Sequence, residues 1–259
     1  MIRRIWTERM APHRDALLAI TTGLIFVGLW ELLPALGVID PFFVSSPSRI
    51  FKAGQWLFAH GLWQDIWVSL GEFMLGMLLA MVLGVLVGFV VGWYRSLNAM
   101  FEPFITILNA TPRIALIPLI ILWMGIGMQS KVAAVFLGAF FPIAITVMKG
   151  VHTIDETLLR CAHSFGATDR QVIFTLAAPS SVPFLVAGLH IAVGRGLVGM
   201  VIGEMMAAQA GVGFMMSRSA ALFQTDKVFF GLILLAGFGY FLTEILKLIE
   251  KRIEGWRPL

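Results

Sequence analysis

The stretch GEFMLGMLLAMVLGVLVGFVVGW, residues 71–93, carries no charge after Glu72. A membrane-spanning helix needs roughly 20 mainly apolar residues, so this stretch predicts a span over about 66–93. Small residues recur at every fourth position, a spacing that lets two helix backbones approach closely. They are Gly76, Ala80, Gly84, Gly88 and Gly92. We interpret this stripe as packing within the chain, with a seam between two copies as the alternative.

The rest of the chain is similarly apolar. Of its 259 residues 59% are hydrophobic and 13% are charged, and the mean hydropathy is +0.89. Soluble domains are typically about one quarter charged, so the composition predicts an all-α integral membrane protein. The predicted spans are 16–36, 66–93, 99–123, 131–150, 182–208 and 228–248. A net charge of +4 without basic–aromatic interleaving does not indicate nucleic-acid binding.

The orientation follows from the Lys and Arg residues that flank the spans. Twelve lie on one side, five lie on the other, and Arg113 and Arg195 fall within spans. The twelve are Arg3, Arg4, Arg9, Arg14, Arg95, Lys149, Arg160, Arg170, Lys247, Lys251, Arg252 and Arg257. The five are Arg49, Lys52, Lys131, Arg218 and Lys227. We expect both termini in the cytoplasm, with an N-terminal segment 1–15, a single transmembrane domain 16–250 and a tail 251–259.

The N-terminal sequence has the charge-then-apolar order of a signal peptide. Its apolar run is long enough to span, however, and no clear A-x-A cleavage site follows. We therefore interpret it as an uncleaved first span.

The longest cytoplasmic loop, between spans four and five, contains LLRCAHSFGATDRQVIFTLAAPSSVPFLVAGL, residues 158–189. Just before it, residues 153–156 have the form of a capping box. Apolar residues then recur at helical spacing up to Phe165, and Gly166 is suited to end a helix. The pattern predicts an amphipathic helix over about 153–165, followed by a second capping box at 168–171. Such a helix lies in the lipid headgroups, forms a tight turn, or fills a groove on a soluble partner.

This loop resembles the cytoplasmic signature of ABC importer permeases, which reads E-A-A, three residues, then G. The residues on motif positions are Ala162, Gly166, Ala167, Pro179, Pro183, Gly188, Leu189 and Glu204. SSPSRIFKA (residues 45–53) and NATPRIALIPLIILWMGIGMQSKVAAVFLGAFFPI (residues 109–143) also resemble the permease group that serves nitrate, sulfonates and taurine. The resemblance covers most of residues 40–250.

The resemblance implies a type I importer fold with a short cytoplasmic coupling helix, in the inner membrane of a bacterium. Two such permeases, identical or homologous, pair around a central path. Two cytoplasmic subunits bind ATP and Mg, and a periplasmic or lipid-anchored binding protein delivers the substrate; this chain needs no cofactor or metal. The implied ATPase-coupling residues are Leu158, Leu159, Arg160, Cys161, Ala162, Phe165, Gly166 and Ala167.

Three positions depart from the family pattern. The leading glutamate of the motif is Arg160 here, and its first alanine is Cys161. An arginine common early in span two is replaced by Glu72. We predict that Arg160 meets an altered surface on its own ATPase subunit.

A translocation path is predicted where span three is broken by three prolines, because a broken helix is tolerated where its backbone lines a cavity. Asn109, Thr111 and Arg113 mark this break. Arg195 should also face the interior, because a guanidinium at membrane depth is costly, and Glu72 is a candidate partner. Packed kinks are the alternative interpretation for these residues. A second small-residue stripe is predicted in span five, at Gly199, Gly203, Ala207 and Gly211.

The segment AQAGVGFMMSRSAALFQTD, residues 208–226, resembles the external re-entrant segment of this family and is expected to help gate the outer mouth. No G-x-x-x-x-G-K-[ST] phosphate loop occurs in the sequence, so any ATP must be bound by another chain. An integral membrane enzyme and a gated channel are the alternative functions. The first would need clustered catalytic groups, and the second would need no docking helix. A small polar anion is the favoured substrate class, and a neutral heterocycle stays open.

Overall fold

The computed structural model describes the backbone of residues 2–254 and the side chains of residues 16–252, and this part of the chain is helical without strands. The helices are α1 (Ile2–Ala35), α2 (Pro41–Val44), α3 (Pro47–Ala59), α4 (Leu62–Trp93), α5 (Arg95–Ala110), α6 (Ile117–Met124), α7 (Met128–His152), α8 (Glu156–Ser164), α9 (Asp169–Val172), α10 (Ala178–Ala207), α11 (Val212–Ala221) and α12 (Thr225–Glu254). A 3₁₀ turn, Arg113–Leu116, precedes α6, and a π turn, Ile173–Ala177, precedes α10.

Five of these helical segments are long and apolar enough to cross a membrane, and α5 and α6 together make a sixth candidate span. The prediction of an all-α membrane protein with about six spans is confirmed. Most bounds differ by a few residues from the prediction, because helices extend past the apolar window that lipid requires. The predicted tail 251–259 lies partly outside the described residues, as do the side chains of the predicted segment 1–15.

Two compact units share the chain. The first combines the chain up to Gly61 with Arg218–Leu232, and the second combines Leu62–Ser217 with the chain from Ile233 onward. In the first unit, Ser48 donates its amide to Glu31 Oε2 at 2.9 Å and its hydroxyl to Glu31 Oε1 at 2.6 Å. The Ser45 hydroxyl donates to Asp226 Oδ1 at 2.7 Å. The domain boundaries predicted from the sequence stay a prediction.

The core of the second unit is built on the glycine stripe of α4. Gly76 lies against Val135, Gly84 against Ile143 and Gly88 against Ala144. The residue numbers of the contacting pairs increase together, so α4 and α7 run parallel. Their backbones are in direct contact. The interpretation of this stripe as packing within the chain is confirmed, since all five of its small residues are buried.

Helix α10 covers a second face of α7 and runs antiparallel to it. Gly199 lies against Ala134 and Gly188 against Thr146. The predicted stripe of span five is wrong at its last position. Helix α10 ends at Ala207, and Gly211 lies beyond it with φ +118°.

Span three is broken at Pro112 as predicted, whereas Pro103 lies inside the continuous helix α5 and Pro118 lies in the first turn of α6. Helix α5 ends at Ala110, Pro112 follows in extended conformation, and the axes before and after the break meet at 87°. Proline lacks the amide that would continue the α5 hydrogen-bond ladder. The bend turns the polar residues around Pro112 toward α7 and α10.

Candidate functional site

The predicted coupling helix is α8, Glu156–Ser164, which begins three residues later than the sequence pattern indicated. The capping box predicted at 153–156 is wrong. The Thr153 hydroxyl closes the end of α7 by donating to the Gly150 carbonyl at 2.9 Å. Asp155 caps α8 instead, accepting the Thr157 amide at 2.7 Å. That hydrogen bond, then the Thr157 hydroxyl and the charge of Arg160, lower the pKa of Asp155.

The C-terminal end of α8 is a Schellman motif, in which two amides beyond the helix turn back to it. Gly166 donates to the His163 carbonyl at 2.9 Å, and Ala167 donates to the Ala162 carbonyl at 3.0 Å. This geometry needs a left-handed residue, and Gly166 has φ +79°. The prediction that Gly166 ends the helix is confirmed.

No residue of α8 is buried in the structure. Leu158 is 54% exposed and Phe165, directly after the helix, is 93% exposed. Cys161 is exposed as well. Arg160 pairs with Glu156 at 3.6 Å, with both side chains in solvent. The predicted coupling residues thus form one short exposed helix and its C-terminal turn, with Leu159, Ala162 and Ala167 partly buried.

A short connection with a capped helix joins α8 to α10. The predicted capping box at Thr168 and Gln171 is confirmed: the Thr168 hydroxyl accepts the Gln171 amide, and the Gln171 side chain accepts the Thr168 amide. Helix α9, the π turn and α10 then follow without an intervening loop. The turn at 165–168, α9 and the π turn are therefore the whole connection between α8 and the long helix α10.

The predicted path residues lie together around one cavity of about 350 Å³. Asn109 and Thr111 come from the end of α5, Arg113 from the 3₁₀ turn and Arg195 from α10. The remaining lining residues are apolar or glycine and come from the 3₁₀ turn, α6, α7 and α10. No carboxylate lines this cavity.

Both arginines of the cavity converge on Asn109. Arg113 Nη2 donates to Asn109 Oδ1 at 2.6 Å, and Arg195 Nη1 donates to the same oxygen at 3.1 Å. Neither guanidinium forms an ion pair within the described residues. The predicted pairing of Arg195 with Glu72 is therefore wrong, and the cavity carries two uncompensated positive charges.

Glu72 belongs instead to a buried polar cluster that sequence reasoning missed. Its Oε1 accepts Lys131 Nζ at 2.9 Å, and both residues are at most 5% exposed. Lys131 therefore lies inside α7 and not in an external loop. Glu204, 0% exposed, accepts the Ser69 hydroxyl at 2.6 Å and lies beside Glu72. Two acids that lie far apart in the sequence, Glu72 and Glu204, thus meet inside the fold.

The same cluster holds the start of α11. Gly211 donates its amide to Asp65 Oδ1 at 2.8 Å, Val212 to Ser69 Oγ at 2.9 Å and Gly213 to Glu204 Oε2 at 2.6 Å. Three consecutive amides are thus satisfied by side chains of two membrane helices. We call these contacts the Glu204 clasp.

Comparison with known proteins agrees with this architecture. Residues 54–255 match the family described as binding-protein-dependent transport system inner membrane component. The chain is 30% identical over 254 residues to the taurine transport system permease protein TauC of Escherichia coli (strain K12), covering 96% of this chain and 92% of that protein. It is 32% identical over 254 residues to the putative aliphatic sulfonates transport permease protein SsuC of the same organism, covering 98% and 94%.

Among solved structures, an inward-facing MetNI methionine ABC transporter has a TM-score of 0.64 at 21% identity. The match covers 76% of this chain and 96% of that chain. At this identity the likeness concerns the fold alone.

A multi-pass helical membrane protein with these features is a permease, the membrane-embedded subunit of an ABC importer. The chain belongs to the family of binding-protein-dependent transport system inner membrane components. It is the transport component and not itself an enzyme.

Proposed function

We propose that this permease imports a small organic sulfonate, such as taurine, through the cavity between α5, α7 and α10. The observation that carries the proposal is the pair of guanidinium groups at Arg113 and Arg195, which face the cavity without a carboxylate partner. Two positive charges without a carboxylate partner favour an anionic group on the ligand, and guanidinium groups match the oxygens of a sulfonate as paired donors. The names of the two E. coli relatives support the same class.

Uptake of labelled taurine into proteoliposomes tests this proposal, with the permease assembled with its ATP-binding subunit and binding protein. Arg195→Gln removes one charge and should reduce uptake about 10–100-fold, because a hydrogen bond to a charged group contributes about 1.5–3 kcal/mol. Arg195→Lys keeps the charge and is the matched control, expected to retain much more activity. Equal uptake by wild type and Arg195→Gln would reject the anion path.

The mechanism further requires energy from a second chain. We propose that α8, with Phe165 and Gly166, docks into a groove on an ATP-binding subunit that holds ATP and Mg on each of two paired permeases. Exposure of the apolar side chains of α8 supports docking. This arrangement places α8 and both termini in the cytoplasm of a bacterium, and the outer ends of α4, α7 and α10 toward a periplasmic binding protein. A homodimer is the simplest pairing.

The single cysteine of the chain provides a test of docking. Cys161 lies in α8 and is exposed. A membrane-impermeant maleimide should label it from the cytoplasmic side, and addition of the ATP-binding subunit should protect it. Labelling from the periplasmic side would overturn the orientation, and unprotected Cys161 in the assembled complex would overturn the docking.

A further inference from the structure

We infer that Glu204 transmits the motion of α10 to the segment 208–217, which we call the gate segment. When the ATP-binding subunits move the end of α10 that follows α8, the gate segment at the other end of α10 moves with it. The inference rests on the proposed docking of α8. It assigns to Glu204 the role of a positioning residue, acting on the gate segment through backbone amides and not on the substrate.

Helix α10 is long enough to connect two distant parts of the protein. The helix runs for 30 residues, Ala178–Ala207, which corresponds to about 45 Å. Its N-terminal end follows α8 through α9 and the π turn, and Glu204 lies in its last turn. Helix α10 therefore has the Glu204 clasp at one end, and its other end is joined to the exposed α8 through the π turn, α9 and the turn at 165–168.

The clasp uses both carboxylate oxygens of Glu204. Oε1 accepts the Ser69 hydroxyl, and Oε2 accepts the Gly213 amide. Helix α11 begins at Val212, so the carboxylate accepts an amide in the first turn of a helix, where negative charge is favoured. Because Ser69 in turn accepts the Val212 amide at 2.9 Å, the gate segment is tied to α10 and α4 together.

Two glycines, Gly211 and Gly213, leave space for the Glu204 side chain. A Cβ atom at Gly211 would lie 2.6 Å from the Glu204 Cδ, and one at Gly213 would lie 2.9 Å from the Glu204 Cβ. Gly211 also has φ +118°, which other residues rarely adopt. Any larger residue at either position would push the segment off the clasp.

The charges around the clasp come from three helices. Helix α4 supplies Asp65 and Glu72, α7 supplies Lys131, and α10 supplies Glu204. Helix α12 faces this region with Leu235 and Phe238, which are apolar. Buried ionisable groups in a membrane protein are costly and mark functional positions. Here Asp65 and Glu204 accept amides at the start of α11, whereas Glu72 and Lys131 pair with each other, so two of the four groups are linked to the placement of that segment.

Hydrogen exchange of the assembled complex, measured with and without ATP and vanadate, tests the inference without any knowledge of the substrate. In the wild type, exchange should change both at 156–165 and at 208–217 when nucleotide is trapped. Glu204→Gln has a single acceptor oxygen in place of two, so it cannot hold Ser69 and Gly213 as the carboxylate does. We expect at least tenfold faster exchange at 211–213 in this variant and a nucleotide response only at 156–165.

Glu244→Gln is the matched control, because it makes the same chemical change on a partly exposed acid of α12 that pairs with Lys247. It should respond to nucleotide like the wild type in both segments. If Glu204→Gln does not fold, Ser69→Ala decides on the same readouts, since it removes the hydroxyl that joins Val212 to Glu204.

A nucleotide response at 208–217 that persists in Glu204→Gln, or in Ser69→Ala, would overturn the inference. A wild-type complex without any response at 156–165 would instead overturn the proposed docking of α8. Failure of taurine uptake alone would overturn only the proposed substrate class and would not affect this inference.

Discussion

The backbone contact between α4 and α7 can be tested with two glycine substitutions in α4. One glycine lies against α7, and the other has open space around it. A Cβ atom built on Gly88 would lie 2.4 Å from the Ala144 carbonyl oxygen and 3.0 Å from the Ala144 Cα. A Cβ atom on Gly71, in the same helix, would meet nothing within 4 Å. Gly88→Ala therefore tests helix contact, and Gly71→Ala is its control.

The magnitude follows from these distances. Ordinary contact begins at 3.4 Å, so α4 must move away from α7 by roughly 1 Å to admit the methyl group at position 88. The obstructing atoms are backbone, which cannot rotate aside. Overpacking of this kind costs about 1–3 kcal/mol. The gain in helix propensity from Gly to Ala, up to about 1 kcal/mol, is common to both variants and cancels in their difference.

We expect Gly88→Ala to be about 1–3 kcal/mol less stable than Gly71→Ala. The measurement is reversible unfolding in mixed micelles of dodecyl maltoside and sodium dodecyl sulfate, followed by tryptophan fluorescence. If Gly88→Ala unfolds at the same denaturant fraction as Gly71→Ala, or at a higher one, then α4 and α7 do not touch as described.

Two further predictions concern α8. Phe165→Ala should leave the unfolding midpoint unchanged, because the ring is 93% exposed, yet weaken binding of the ATP-binding subunit at least tenfold; a shifted midpoint with unaltered binding would contradict the docking role. Because the Thr157 amide lowers the pKa of Asp155, the cap adds stability that is fully present above the unfolded pKa of about 3.8 and is lost as the pH falls through the lower folded pKa. Protection of the Thr157 amide, corrected for its intrinsic exchange rate, should therefore decline over that range, and an Asp155→Asn variant that shows the same decline would refute the assignment.

Local signals in the sequence predicted much of this architecture. The four-residue period of small residues in α4 predicted a close helix contact, and the structure shows it. Gly166 and the box at Thr168 were predicted because capping depends on residues only a few positions apart. The break at Pro112 was predicted for the same reason, since a proline acts on its own helix.

Contacts between residues far apart in the sequence could not be predicted. The Ser69 and Glu204 side chains that form the clasp are 135 positions apart, and no periodicity connects them. Glu72 was paired with the wrong cation because Lys131 stands at the edge of an apolar run, where a loop position and a buried position look alike. The start of α8 was misplaced for a similar reason: Thr153 and Asp155 are both good N-cap residues, and the end of α7 decides between them.

The bare ring of Phe165 has a consequence for biogenesis. In the proposed assembly the ATP-binding subunit covers Phe165 and Leu158, both of which are exposed in the single chain. Exposed apolar side chains of this kind promote aggregation. With the docking proposed above, balanced synthesis of the two subunits becomes a requirement that originates in one nine-residue helix and the turn after it.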